Sequence, residues 1–245
     1  MQFKDHFSNQ AKRYADFRPD YPEALISWVA SNATNKDTLW DCGTGNGQAA
    51  LALAKYFGKV YATDPSKSQI ESARIHPNIE YSVRTAEDSG FPSSTFDLIT
   101  VAQALHWFDF EAFFAEVRRV ARPGCAIVCW GYGLCDVSPA VDPSLRKFYS
   151  EVVGPYWPPE RKLVDQEYKT IPFPFPKISA PQISIERDWS LEEFLGYVSS
   201  WSAVQAMQKA TGSDPVSEFG TELAPVWRSS EKVRWPIYVL AGKVT

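Results

Sequence analysis

Cysteine is scarce in this chain and poorly placed for metal chemistry. Cys42, Cys125, Cys129 and Cys135 form no CxxC pair, and the three histidines do not cluster with them at ligand spacing. Between Cys125 and Cys129 the stretch Ala126-Ile127-Val128 reads as strand, which turns neighbouring side chains to opposite faces. Reduced, buried thiols are expected, and no metal. An unbroken apolar run of bilayer-spanning length is also missing, and residues 1–20 are polar and charged where a secretory leader needs an apolar stretch. The expectation is a soluble, cytoplasmic protein with no membrane partner. Long runs of one charge are absent too. The 25 Lys+Arg stand against 29 Asp+Glu, a net charge of −4, which gives no basic footprint for nucleic acid. A small-molecule partner is the expectation that survives, with oligomeric state unspecified.

What is present is a rhythm of short apolar runs and amphipathic stretches, with 44% hydrophobic residues over 245 positions, enough to bury the core of one α/β domain with insertions. Pro22 opens a helix on which Leu25, Ile26 and Val29 share a face. Thr38-Leu39-Trp40 then reads as a strand, residues 48–57 as an Ala/Leu-rich helix and residues 60–63 as a second strand ending at Asp64. A helix over 66–75 follows, with strands over 79–83 and 96–102 and a helix over 111–120. After them come the turn Arg122-Pro123-Gly124 and a fifth strand over 126–130. Five β–α steps in succession predict an open, doubly wound, Rossmann-like sheet.

Beyond Gly131 the rhythm changes. Pro155, Pro158, Pro159, Pro172, Pro174, Pro176 and Pro181 mark irregular chain, an insertion with the character of a lid. Within it Leu145, Phe148, Tyr149 and Val152 are spaced for one apolar helix face. Ser190 and Glu193 have the form of a capping box, and Val233, Trp235, Ile237 and Val239 alternate as a strand returning to the sheet.

The turn Asp41-Cys42-Gly43-Thr44-Gly45-Asn46-Gly47 lies between a predicted strand and a predicted helix, where backbone must approach a ligand closely. Its spacing is G-x-G-x-G, and Gln48 stands where the dinucleotide fingerprint needs its last glycine. Asp41 would also repel a pyrophosphate and attract an ammonium group, directly or through water. These two features disfavour a nicotinamide oxidoreductase. Asp64, at the end of the second strand, is placed to accept both hydroxyls of a ribose. The ligand implied has a ribose, a positive charge and no phosphate.

These residues resemble motif I and the ribose-binding acid of the class I S-adenosylmethionine-dependent methyltransferases. Thr85-Ala86-Glu87-Asp88 is similar to that family's loop along the adenine edge, Phe96-Asp97-Leu98-Ile99 to its fourth strand, and Arg122-Pro123-Gly124 to the turn before its fifth. The likeness covers roughly half the chain. It implies a seven-stranded sheet with an antiparallel last strand, with S-adenosyl-L-methionine as cofactor. Phe7, Ala11, Tyr14, Arg18-Pro19 and Tyr21-Pro22, with Gln103-Ala104-Leu105-His106-Trp107 and residues 194–204, further resemble the small-molecule group that includes trans-aconitate and cantharidin methyltransferases.

The resemblance implies that Asp41, Gly43, Gly45, Gly47 and Asp64 hold the cofactor. Tyr14, Arg18, Gln103, the Ala86 backbone and Glu87 add contacts, with Arg18 facing the methionine carboxylate. It also implies one methyltransferase domain over 1–245. Residues 1–35 would form N-terminal cap helices, 36–131 the cofactor-binding half, 132–182 the insertion or lid, and 183–245 the completion of the sheet.

The acceptor implied is a carboxylate oxygen, for which alignment and desolvation suffice. His106 follows the fourth strand at the ligand-binding rim. It would act as base if the acceptor were instead a hydroxyl, phenol or amine. Trp107, Tyr132 and Trp201, with Trp130 and Trp157, are candidates for an apolar substrate pocket, against plain core packing. Arg146, Arg161 and Lys162 are candidates to anchor a carboxylate, against plain surface charge. A non-enzymatic alternative is a cofactor-binding interaction protein.

Overall fold

A computed structural model describes residues 19–245. Phe7, Ala11, Tyr14 and Arg18 lie outside the described residues. Seven strands form one sheet: β1 (Thr38–Cys42), β2 (Lys59–Asp64), β3 (Ile79–Val83), β4 (Phe96–Ala102), β5 (Ala121–Tyr132), β6 (Ile183–Trp189) and β7 (Glu231–Lys243). Their order is β3-β2-β1-β4-β5-β7-β6, with β1 to β5 parallel and β7 antiparallel to both of its neighbours. The doubly wound sheet with an antiparallel last strand is therefore present.

Strand β5 illustrates why the sequence builds this sheet. Ala126, Val128, Trp130 and Tyr132 enter one core cluster, while Cys125, Ile127 and Cys129 enter the cluster on the opposite face. Apolar residues at every position suit a strand covered on both sides. Helices α1 (Glu23–Ser31) and α2 (Gln48–Leu53) cover the first face, α4 (Phe110–Val120) covers the second, and the short α3 (Lys67–Glu71) follows β2.

Two local expectations are corrected. The turn at Arg122-Pro123-Gly124 lies inside β5 as a bulge. Phe96 pairs with Ala121 and Leu98 with Ala126, and Gly124 takes φ +82° to absorb the extra residues. The helix expected over 66–75 stops at Glu71. There the Ser72 hydroxyl bonds back to the Gln69 carbonyl, and Ile75, 98% exposed, offers no buried face to continue along.

The insertion is more regular than its prolines suggest. It holds α5 (Asp142–Lys147), a π turn (Phe148–Val152), a 3-10 turn (Gly154–Tyr156) and α6 (Arg161–Asp165). The wider π turn adds a residue, so that Val153 rather than Val152 is buried beside Leu145 and Phe148. The chain then forms β6 and helices α7 (Leu191–Ser199), α8 (Ser202–Thr211) and α9 (Pro215–Leu223). Ser190 and Glu193 make the capping box at the start of α7. Phe148 stacks on Phe219 of α9 at 4.2 Å, and both ends of the insertion bridge to β7, Asp136 to Arg234 and Lys177 to Gly242. The insertion is thus part of the core.

Candidate active site

The turn after β1 is held by its own acids. Asp41 is fully buried; its Oδ2 accepts from the Thr44 hydroxyl at 2.5 Å and its Oδ1 from the Thr100 hydroxyl at 2.7 Å. Burial pushes its pKa up to about 6, against the opposing pull of both hydroxyls and of the Ala50 backbone. Asp41 therefore ties β1, the turn and β4 together from inside. The half-buried Asp64 accepts from the Gly45 N–H at 2.9 Å and the Ser66 N–H at 2.8 Å, joining the turn to the start of α3.

Glycine is required at both ends of this turn. A Cβ on Gly43 would sit 2.5 Å from the Ala104 Cβ, and one on Gly47, at φ +88°, would sit 2.3 Å from the Tyr81 hydroxyl. Tyr81 is a residue that sequence reasoning missed. It lies in one cross-strand row with Ala62, Asp41 and Thr100, and the small Ala62 lets its ring reach over Gly47. Its buried hydroxyl has no hydrogen-bond partner among the described residues, and burial, with the nearby Asp41 charge, pushes its pKa up to about 12. Only the parallel register of β1 to β3 reveals this row.

Ala86 is buried, and the Glu87 carboxylate accepts from the Asp109 N–H at 3.0 Å just before α4. Burial raises the Cys42 pKa, with the charges of Asp41, Glu87 and Asp64 adding to the shift. All four cysteines are buried, and burial pushes Cys125 up to about 12, so that it is a thiol at neutral pH.

A cavity opens where the end of β4 meets the insertion. Gln103 takes a left-handed φ of +55°, donates its N–H to the Trp130 carbonyl at 2.9 Å and its Nε2 to the Tyr132 carbonyl at 3.0 Å. Such backbone strain persists only where the surroundings impose it, and it gathers at functional sites. Gln103, His106, Trp107, Tyr132 and Trp201 all line this cavity, so the structure brings together the candidate base and the three candidate substrate residues. Tyr149 and Trp157 from the insertion and Tyr197 from α7 complete its aromatic wall. Trp201 lies 5.7 to 5.8 Å from the rings of these three.

Two polar arrangements stand in that wall. His106 Nδ1 is 3.0 Å from the hydroxyl of Tyr168, a buried residue whose pKa burial pushes well above the usual range. Tyr168 and Glu167 hold consecutive left-handed φ values of +59° and +54°. The second arrangement separates the three candidate cations. Arg146 is exposed and pairs with Asp136, and Lys162 is exposed, but Arg161 faces the cavity with 21% of its side chain accessible. Its Nε donates to the Tyr149 hydroxyl at 2.7 Å and to Asp165 at 3.3 Å, and its guanidinium carbon lies 4.6 Å from the Trp157 ring centre. Among the described residues no helix is long and apolar enough to cross a membrane.

Comparison with known proteins places these features in context. A family model described as a methyltransferase domain matches residues 40–129. A Dictyostelium discoideum protein named as a methyltransferase is 37% identical over 252 residues, covering 99% of this chain and 96% of the relative. A solved structure from Anaeromyxobacter dehalogenans, described as a type II methyltransferase, is 44% identical with a TM-score of 0.87, covering 93% of this chain and 98% of its own. A Saccharomyces cerevisiae protein named as an S-adenosylmethionine-dependent methyltransferase is 26% identical over 132 residues, covering 50% of this chain and 45% of the relative.

Proposed function

The chain belongs to the class I S-adenosylmethionine-dependent methyltransferases, and from that premise we propose that it methylates a carboxylate oxygen of a small organic acid. The observation that carries this reading is Arg161. Among the described residues that line the cavity, it is the one permanent cation, set in an aromatic wall beside the end of β4.

The turn suits the cofactor. Gly43, Gly45 and Gly47 let its backbone take positive φ and pack closely, and its acids are an enclosed Asp41 and a half-buried Asp64, the residue assigned to the ribose. S-adenosylmethionine, when bound, supplies an electrophilic methyl on a sulfonium: the oxygen–methyl bond forms as the sulfur–methyl bond breaks, the electron pair passes to sulfur, and no proton moves. The protein's share is to hold the acid, strip its water and aim it. Arg161 fixes the anion, the surrounding rings exclude water, and Gln103 and His106 close the end nearest β4.

A second reading, transfer to a hydroxyl or phenol, draws on His106, whose imidazole lines the same cavity and is fixed by Tyr168. Titration calorimetry with S-adenosylmethionine, S-adenosylhomocysteine and NAD, on wild type and Asp64→Ala, tests the cofactor. Binding of the first two, weakened in the variant and absent for NAD, is expected. Radiolabelled methyl transfer to a panel of acids, phenols and amines then tests the acceptor, with base-labile methyl esters as the expected product.

A further inference from the structure

The number and setting of charges in the cavity specify the acceptor more closely, given the carboxylate reading above. Arg161 is clamped with its Nε turned to Tyr149 and Asp165, and no hydrogen bond joins either Nη to a described residue. Those two groups form the planar fork that matches one carboxylate with two parallel hydrogen bonds. The wall of the same cavity is aromatic: Trp107, Tyr132, Trp157, Tyr197 and Trp201 line it, with the Arg161 guanidinium over the Trp157 ring. A second carboxylate on the ligand would leave water without finding a cation among the described wall residues. Asp165, 3.3 Å from the Arg161 Nε, already offsets part of the single positive charge and would repel a second negative one.

We infer that the acceptor is a monocarboxylic acid with a flat aromatic or conjugated body, selected by Arg161 against di- and tricarboxylates. The carboxylate that Arg161 holds is the one methylated. Its ester is neutral and loses the ion pair, so the product leaves more readily than the acid enters.

The test uses the full chain with S-adenosylhomocysteine present and reads tryptophan fluorescence, since Trp107, Trp157 and Trp201 line the cavity. Benzoate, trans-cinnamate and 2-naphthoate are titrated beside their amides, their methyl esters and analogues with a second ring carboxylate. At least one monoacid is expected to bind tenfold or more tightly than its amide, its ester and its diacid. Arg161→Met should abolish that preference, the monoacid falling tenfold or more relative to its own amide. A diacid that binds as well as its monoacid, three monoacids that all fail to bind, or an Arg161→Met variant that keeps the preference would overturn the inference. The wild-type comparison needs no variant to fold. Failure of the carboxylate reading is separately visible, as radiolabelled transfer to phenols or amines in place of any acid.

Discussion

His106 and Tyr168 meet across the boundary between the sheet and the insertion, the imidazole Nδ1 3.0 Å from the tyrosine hydroxyl. Tyr168 is buried and keeps its proton, so it fixes the ring without competing for charge. With a carboxylate acceptor the fixed ring orients and removes no proton. His106→Ala should then lower kcat/KM by no more than about tenfold, against a loss of about a hundredfold to ten-thousandfold when a general base is removed. Steady-state kinetics over pH 5.5–9 decides: a loss above a hundredfold with a flattened pH profile would restore the hydroxyl reading.

Asp41 makes stability depend on pH in the direction opposite to most acids. Its folded pKa, about 6, lies above the ordinary aspartate value of 3.8, so between these values the folded state holds more protons than the unfolded one. Stability from this group is full below the lower value, falls as pH rises through the window, and is lost above about 6. Asp41→Asn removes the penalty, a gain of about 3 kcal/mol at most at pH 7 before any loss of the Thr44 and Thr100 hydrogen bonds. Thermal melts should show the variant gaining on wild type between pH 4 and pH 6.5 and the gap constant above. A gap independent of pH would show that Asp41 is not held as described.

Gly47 is strained by any side chain twice over, through its φ of +88° and through Tyr81. Gly47→Ala should cost about 1 kcal/mol from the backbone alone, and more from the clash. Tyr81→Ala in the same chain relieves the second contribution and leaves the first. Urea denaturation of both single variants and the double variant should give a favourable coupling between positions 47 and 81. Additive losses would mean that the ring does not lie over the turn.

Much of this arrangement was legible before any coordinates, because period and punctuation are local properties. The strands of the first half, the glycine turn and the capping box at Ser190 all follow from short-range pattern. Strand β6 escaped because Ile183–Trp189 carries charged residues at an exposed edge, whereas α8 and α9 do carry local signals, Gly212 closing the first and Asp214-Pro215 opening the second. At the site, position along the chain was informative and partnership was not. Asp41 and Asp64 lie at the ends of β1 and β2 as their positions imply, but Asp41 is fully buried with its two oxygens turned inward to the Thr44 and Thr100 hydroxyls, and Thr100 is brought alongside only by strand pairing. Arg161 could not be told from Arg146 and Lys162, because burial against Tyr149 and Trp157 is a tertiary property. Tyr168 was passed over because nothing local marks a left-handed tyrosine.

The stacking of Phe148 on Phe219 offers a way to loosen the acceptor wall without touching it. Neither residue lines the cavity, yet Phe148 immediately precedes Tyr149, which holds Arg161. Both rings are nearly inaccessible, at 4% and 2%, and stack 12° from parallel at 4.2 Å. Phe219→Leu removes the stack but leaves an apolar side chain, at a cost of about 1 to 2 kcal/mol, small enough for the chain to stay folded. The glycine turn is held by bonds among β1, β2 and β4, none of which involves this stack. Affinity for S-adenosylhomocysteine should therefore stay within twofold of wild type, while KM for the acid acceptor rises severalfold as Tyr149 and Arg161 lose their fixed position. Calorimetry for the first and initial rates for the second separate the two. Equal weakening of both would mean that the insertion and the cofactor turn respond as one unit, and that the acceptor wall is not independently supported by α9.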